Sequence, residues 1–293
     1  MTGPNIDLIA TCWTSAGDVT PMMPSEKSPL DILDRVREVA ATGWSGIGIA
    51  HDDLAHVDDT IGFAALREAI STAGLRFTEI EFLVDWWETD EKRIASDRTR
   101  DLLMRAAAEL DPIHIKVGTA VAAPLESTDS LVGPLRDLAD HAAGHGVRVA
   151  IEPMPYTMLS SVPLAADVVR AVDRTNCGVM VDAWHVFRAG TTLDDLRKSL
   201  TPDIIFGVEL DDAAADVVGT LLDDSINERL LCGEGTFDLV GLVQTLTDIG
   251  FRGPWGTEII SHTHRALSLH EALDKARRAL DTVVRAAMTK EFT

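Results

Sequence analysis

Four short apolar runs in the second half of the chain each end in a carboxylate: VAIE on Glu152, VMVD on Asp182, FGVE on Glu209 and WGTE on Glu258. An acid at the end of an apolar run is costly to bury unless it is paired or bound to a cation. If the four runs converge, their carboxylates repel one another strongly enough to require a cation or bound protons. An all-oxygen donor set of this kind suits Mn²⁺ or Mg²⁺ better than a thiolate-seeking metal. The competing expectation is that each acid pairs with a nearby Lys or Arg. That is harder to sustain for four acids than for one.

Residues 178–190, GVMVDAWHVFRAG, place His185 three positions after Asp182, so that both can face one opening. His185 could be a metal ligand, a general acid or a donor to a substrate oxygen, since an imidazole titrates near neutrality. Arg188 could reach a polar substrate or serve the fold. Lys116 could hold a substrate oxygen, although pairing with one of the acids is the simpler role. His51 is a candidate substrate contact. Trp13 could stack on a sugar face, against the plainer role of aromatic packing. The Gly-rich run 229–239, RLLCGEGTFDL, could close over the opening as a lid, bind an anion through backbone N–H groups, or be an ordinary loop. Cys12 and Cys232 have no basic partner fixed by sequence, so neither is expected to be a nucleophile.

These residues need a scaffold that brings distant segments to one place. Eight short runs rich in Ile and Val, at 6–11, 46–50, 76–83, 113–117, 147–151, 178–181, 204–210 and 255–259, read as strands buried on both faces. Amphipathic helical patterns lie between them, at 30–41, 63–73, 98–110, 131–143, 163–172 and 239–249, several followed by glycine as a C-cap signal. The stretch after the seventh strand is acidic and reads partly as loop. Eight strand–helix units predict a parallel sheet closed into a single (β/α)8 barrel over residues 1–293, with chemistry at the C-terminal strand ends. An open doubly wound sheet is the alternative, but no GxGxxG follows the first strand.

Composition narrows the partners. Lys and Arg total 26 against 47 Asp and Glu, a formal charge of −21, which repels a phosphate backbone and an anionic membrane surface. No apolar run approaches the roughly 20 residues needed to cross a bilayer. No basic start followed by an apolar stretch suggests export, and the dispersed Cys12, Cys177 and Cys232 fit a reducing cytoplasm.

VAIEPMPY at 149–156, VDAWHVFRAG at 181–190, VELDDA at 208–213 and the long run 229–259 together resemble the xylose isomerase-like TIM barrel superfamily, the sugar phosphate isomerase/epimerase group. The resemblance covers nearly the whole chain. It implies one divalent ion held by acidic and histidine side chains on strands five to eight, which carries over directly to Glu152, Asp182 and Glu258. Where the family pattern resembles VHLKDA, this chain reads VELDDA, so Glu209 stands in place of the expected histidine. The resemblance then implies either an all-carboxylate site or three ligands with Glu209 outside them. It also implies that His185 contacts substrate.

The implied substrate is a small sugar or polyol. Glu152 and Glu258 would remove and return a carbon-bound proton through a metal-stabilised enediolate, giving isomerisation or epimerisation. The alternatives are a metal-dependent lyase or dehydratase acting on a keto-sugar, keto-inositol or dehydroshikimate-like substrate, and a non-catalytic sugar-binding or partner subunit. Relatives of this kind are often homo-oligomers. The DNA-binding branch of the superfamily needs several histidine ligands that are missing here.

Overall fold

A computed structural model of the chain describes residues 6–289. Eight parallel strands close into a barrel in chain order: β1 (Leu8–Ala10), β2 (Gly46–Ala50), β3 (Phe77–Leu83), β4 (Ile115–Val117), β5 (Val149–Ile151), β6 (Cys177–Asp182), β7 (Ile205–Leu210) and β8 (Trp255–Thr257). β8 pairs with β1 through Leu8 and Trp255, so no edge is left open. The expected single (β/α)8 barrel is what forms.

Alternation along each strand divides the side chains between two environments. Ile47, Ile49, Ile80, Ile115, Val117, Val149 and Ile151 join the main core beneath the surrounding helices. The residues between them, among them Glu79, Glu81, Lys116 and Ala150, fill the barrel interior. Low in the barrel, Ala150, Met180 and Phe206 make a separate apolar cluster. It is packed so closely that a Cβ on Gly178 would strike the Phe206 ring, and one on Gly207 would strike Met180 and His114. The Arg148 guanidinium lies 3.6 Å over the same Phe206 ring.

The helices follow the sequence pattern, with added short helices such as His51–Asp59 and Leu193–Ser199 and with three further differences. The helix expected at 98–110 runs from Glu91 to Leu110, because Asp90 caps it by accepting a hydrogen bond from Lys92 N. Its first turns carry charge rather than apolar periodicity. The acidic stretch after β7 is loop up to Thr220, then a short helix, Leu221–Asn227, started by a Thr220/Asp223 capping box. The helix Leu269–Thr289 packs against Leu239–Ile249 and Ile32–Ala41 and completes the outer ring. Glycine serves as a stop where expected: Gly74 and Gly250 adopt positive φ just beyond helix ends. Among the described residues no helix is long and apolar enough to cross a membrane.

Candidate active site

The last four strands deliver their acids to one level of the barrel mouth. Glu152 follows β5, Asp182 ends β6, Glu209 is next to last in β7 and Glu258 follows β8. The strand register sets Asp182 beside Glu209 and Glu209 beside Gly256. All four side chains are buried, and one oxygen from each lies within 4.8 Å of the others. Asp182 also caps the helix Ala183–Arg188 by accepting a hydrogen bond of 2.9 Å from His185 N. That cap turns the His185 ring toward the acids, with Nε2 3.8 Å from Glu152 Oε1.

Two buried cations stand among these acids. Lys116 Nζ lies 2.7 Å from Glu81 Oε2, 2.7 Å from Glu209 Oε1 and 3.0 Å from Glu258 Oε1. Arg229 donates to Asp182 Oδ2 at 2.7 Å and to Asp211 Oδ2, and sits 3.2 Å from Glu258 Oε2. Its remaining N–H groups are turned to Ser225 O and Oγ and to His185 Nε2.

Six buried carboxyl groups, Glu81, Glu152, Asp182, Glu209, Asp211 and Glu258, therefore face two buried cations. Burial pushes Glu152 up to about 8; Lys116 draws it down, while Glu258 and Asp182 push it further up. Burial likewise holds Glu209 and Asp211 well above the ordinary carboxylate range. Burial alone would pull Lys116 and Arg229 down, but the surrounding carboxylates keep both firmly charged. His185 is held well below its usual range by burial and then by Arg229 and Lys116, so its ring is neutral.

The residues fit a divalent cation. Glu152 Oε1 and Glu209 Oε2 are buried without a hydrogen-bond partner among the described residues. A bound ion satisfies such lone pairs and offsets part of the excess negative charge. Asp182 and Glu258 keep lone pairs free beyond those used by Arg229 and Lys116.

Above the acids opens a cavity of about 550 Å³, whose lining includes Glu152, Glu258, His185, His51, Trp13 and Tyr156. The Tyr156 hydroxyl meets Ser225 Oγ at 3.1 Å. His51 Nδ1 accepts a long hydrogen bond of 3.4 Å from Phe82 N.

A sequence profile of the xylose isomerase-like TIM barrel matches residues 36–283. The chain belongs to the xylose isomerase-like TIM barrel family. Inosose isomerase of Bacillus licheniformis is 32% identical over 157 residues, which is 53% of this chain and 55% of that protein. 3-Dehydroshikimate dehydratase of Pseudomonas aeruginosa is 28% identical over 246 residues, 80% of this chain and 37% of the relative. The alignments thus span about half the length of the isomerase and just over a third of the dehydratase. A crystal structure described as IOLI protein with a binding zinc atom superposes with a TM-score of 0.82 at 22% identity, covering 96% of this chain and 99% of the other. At that identity the likeness speaks for the fold.

Within this xylose isomerase-like barrel, two of the expected substrate contacts lie elsewhere. Arg188 is outside the cavity: it donates to Asp224 Oδ2 at 2.9 Å and to the carbonyls of Ala214 and Ala215, and so pins the loop after β7. An Arg188→Ala variant should leave substrate KM within about twofold of wild type and lower stability by about 1–2 kcal/mol, read by steady-state kinetics and thermal unfolding. Lys116 lies below the cavity lining, and its three N–H donors already meet three carboxylates, so none is left for substrate.

The Gly-rich run 229–239 is neither lid nor anion cradle. Asp212 accepts from Gly233 N and Phe237 N and holds the run against the loop after β7. Of its residues, Arg229 alone reaches the cavity. Arg229 and Tyr156 are site residues that sequence reasoning passed over, and Glu81, one of the acids on the third strand, was given no role. Glu81 had a signal, since it alternates with apolar Ile80 and Phe82. The pairing of Arg229 depends on where its loop returns, which no local pattern fixes. Cys12 and Cys232 are buried, and burial pushes both thiols up, as expected for non-nucleophiles.

Glu79, deeper in the barrel, is also pushed up by burial to about 8. A carboxyl raised from 4.5 to about 8 in the fold stabilises it fully below 4.5, and loses that contribution as pH rises through 8. The metal-free protein should therefore melt at a lower temperature at about pH 8.5 than at about pH 6 from these groups. Added Mn²⁺ favours the ionised form of Glu152, so its stabilising shift should be larger at the higher pH. Equal shifts at both pH values in differential scanning calorimetry would count against Glu152 as a ligand.

Proposed function

We propose that this barrel, taken as one domain over its 293 residues, is a divalent-metal-dependent isomerase or epimerase of a small sugar or polyol. The observation that carries this reading is Glu152: a buried carboxyl at a cavity floor, pushed up to about 8, with Oε1 unpartnered. An ionised carboxylate placed there, with a lone pair not used by the protein, is positioned to take a proton from carbon. Glu152, Asp182, Glu209 and Glu258 would hold the ion, which when bound polarises substrate oxygens as a Lewis acid.

The chain's own residues supply the rest. Of the two Glu152 carboxylate oxygens, the one not given to the ion accepts the carbon proton. Glu258, lining the same cavity, is held in place by Lys116 and Arg229 and serves as the second proton carrier. Neutral His185 accepts from Arg229 at Nε2, which leaves its proton on Nδ1; that N–H has no partner among the described residues and can donate to a substrate oxygen.

A dehydratase is the second reading. The alignment with the 3-dehydroshikimate dehydratase extends over 80% of this chain, and removal of the same carbon proton can be followed by loss of a neighbouring hydroxyl. The deciding experiment incubates Mn²⁺-loaded protein in D2O with a panel of keto-sugars, inososes and 3-dehydroshikimate, followed by NMR. Deuterium entering an intact ring supports isomerase or epimerase chemistry, and loss of water supports the dehydratase. Absence of exchange across the whole panel leaves neither reading standing.

A further inference from the structure

The cavity has two unlike ends. Its floor carries the carboxylates, while its outer wall is apolar. Met22, Val84 and Val121 line it, yet are 66%, 38% and 50% exposed; they are three of the large hydrophobic side chains that the fold leaves open to water. Leu222 and Ile226 from the short helix after β7 continue the wall inward. An apolar surface joined to a polar floor in one cavity is arranged to take a molecule that is polar at one end only. At about 550 Å³ the space suits a ligand considerably larger than a lone six-membered polyol.

Charge adds a second, independent constraint. Among the lining residues Arg229 is the one Lys or Arg, and it faces Glu26, Glu81, Asp85, Glu152 and Glu258 in the same wall. Its five N–H donors already point at Asp182, Asp211, Ser225, Glu258 and His185. A phosphate or ring carboxylate on the cavity wall would meet acids and find no uncommitted Lys or Arg side chain. Anion sites need such donors.

We infer that the substrate is a sugar or polyol bearing an apolar substituent and no anionic group, the ring seated on the carboxylate floor and the substituent on the wall of Met22, Val84 and Val121. The inference rests on the proposed sugar-directed function of the same site.

The test uses the Mn²⁺-loaded full chain and isothermal titration calorimetry. The probes are methyl and phenyl β-D-glycosides of glucose, galactose and xylose, with glucose 6-phosphate and galactose 6-phosphate. Within at least one sugar series the phenyl glycoside should bind about tenfold more tightly than the methyl glycoside, from the extra apolar area covered. Val121→Asp and Val84→Asp, both on exposed positions, should abolish that gain while leaving Mn²⁺ affinity and melting temperature unchanged. Neither phosphate ester should bind more tightly than its parent sugar.

A phosphate that improves binding, a phenyl gain that survives both variants, or no glycoside binding by protein that still takes up Mn²⁺ would each overturn the inference and leave the metal site intact. Variants that change oligomeric state but not the phenyl gain would assign the apolar wall to a second copy of the chain, and would overturn it as well. Failure to bind Mn²⁺ at all would instead strike the underlying reading.

Discussion

Replacing Glu152 by Gln should lower carbon–hydrogen exchange on any responsive substrate by about 10²–10⁴-fold, the usual range for losing a positioned general base. The amide preserves shape and hydrogen-bonding capacity but cannot hold the transferred proton. Stability should move the other way. Glu152 is 3% exposed with one oxygen unpartnered, so an uncharged amide avoids the cost of burying an ionised carboxyl and the metal-free variant should melt at the same or a higher temperature at about pH 8.5. Deuterium incorporation followed by NMR, set beside a calorimetric melt, separates this from general damage. A variant that keeps exchange at wild-type rates removes Glu152 from the mechanism. One that loses exchange together with its fold says nothing specific about the base, and Glu152→Asp then provides the check, because it keeps the carboxylate and should retain part of the activity.

The second large effect belongs to Lys116→Met. The side chain is 1% exposed and neutralises parts of Glu81, Glu209 and Glu258 at once. Taking one partner out of a buried ionic cluster typically costs about 3–5 kcal/mol, because the remaining charges are left uncompensated. For a chain of this size that corresponds to a fall of roughly 10 °C in melting temperature. Combining Lys116→Met with Glu81→Gln removes one of the stranded charges and should recover part of the loss, giving a coupling energy above about 1 kcal/mol in a double-mutant cycle. Mn²⁺ should stabilise Lys116→Met more than it does wild type, since it replaces some of the missing positive charge. A melting temperature within about 1 °C of wild type would show that protonation of the acids, rather than Lys116, balances the cluster.

How far the amino-acid order foretold this arrangement depends on the range of the interactions involved. The eight strands could be read because strands buried on both faces are runs of Ile and Val, and Glu152, Asp182, Glu209 and Glu258 stood out because each ends such a run. The relation of Asp182 to His185 could be read as well, being a helix cap set within four residues. Arg229 could not be placed, and for Lys116 pairing with an acid was foreseen but not which acid, because Asp182 and Glu209 lie 47 and 93 residues from them and meet them only when the barrel closes. Which of its two roles Arg188 takes was not legible for a related reason: its partner Asp224 lies 36 residues on and is brought to it only by the loop after β7. The apolar wall left no trace in the pattern, since Met22 and Val121 sit in loops where isolated hydrophobic residues are commonplace.

The tight packing of Phe206, Met180 and His114 low in the barrel has a kinetic meaning. With that end plugged by side chains that a single added methyl would disturb, molecules have one doorway, and a product must retreat along the path its precursor took. An inert compound lodged against Val84 and Val121 would then block arrival and departure alike. Inhibition by such a compound should be competitive toward substrate in steady-state kinetics.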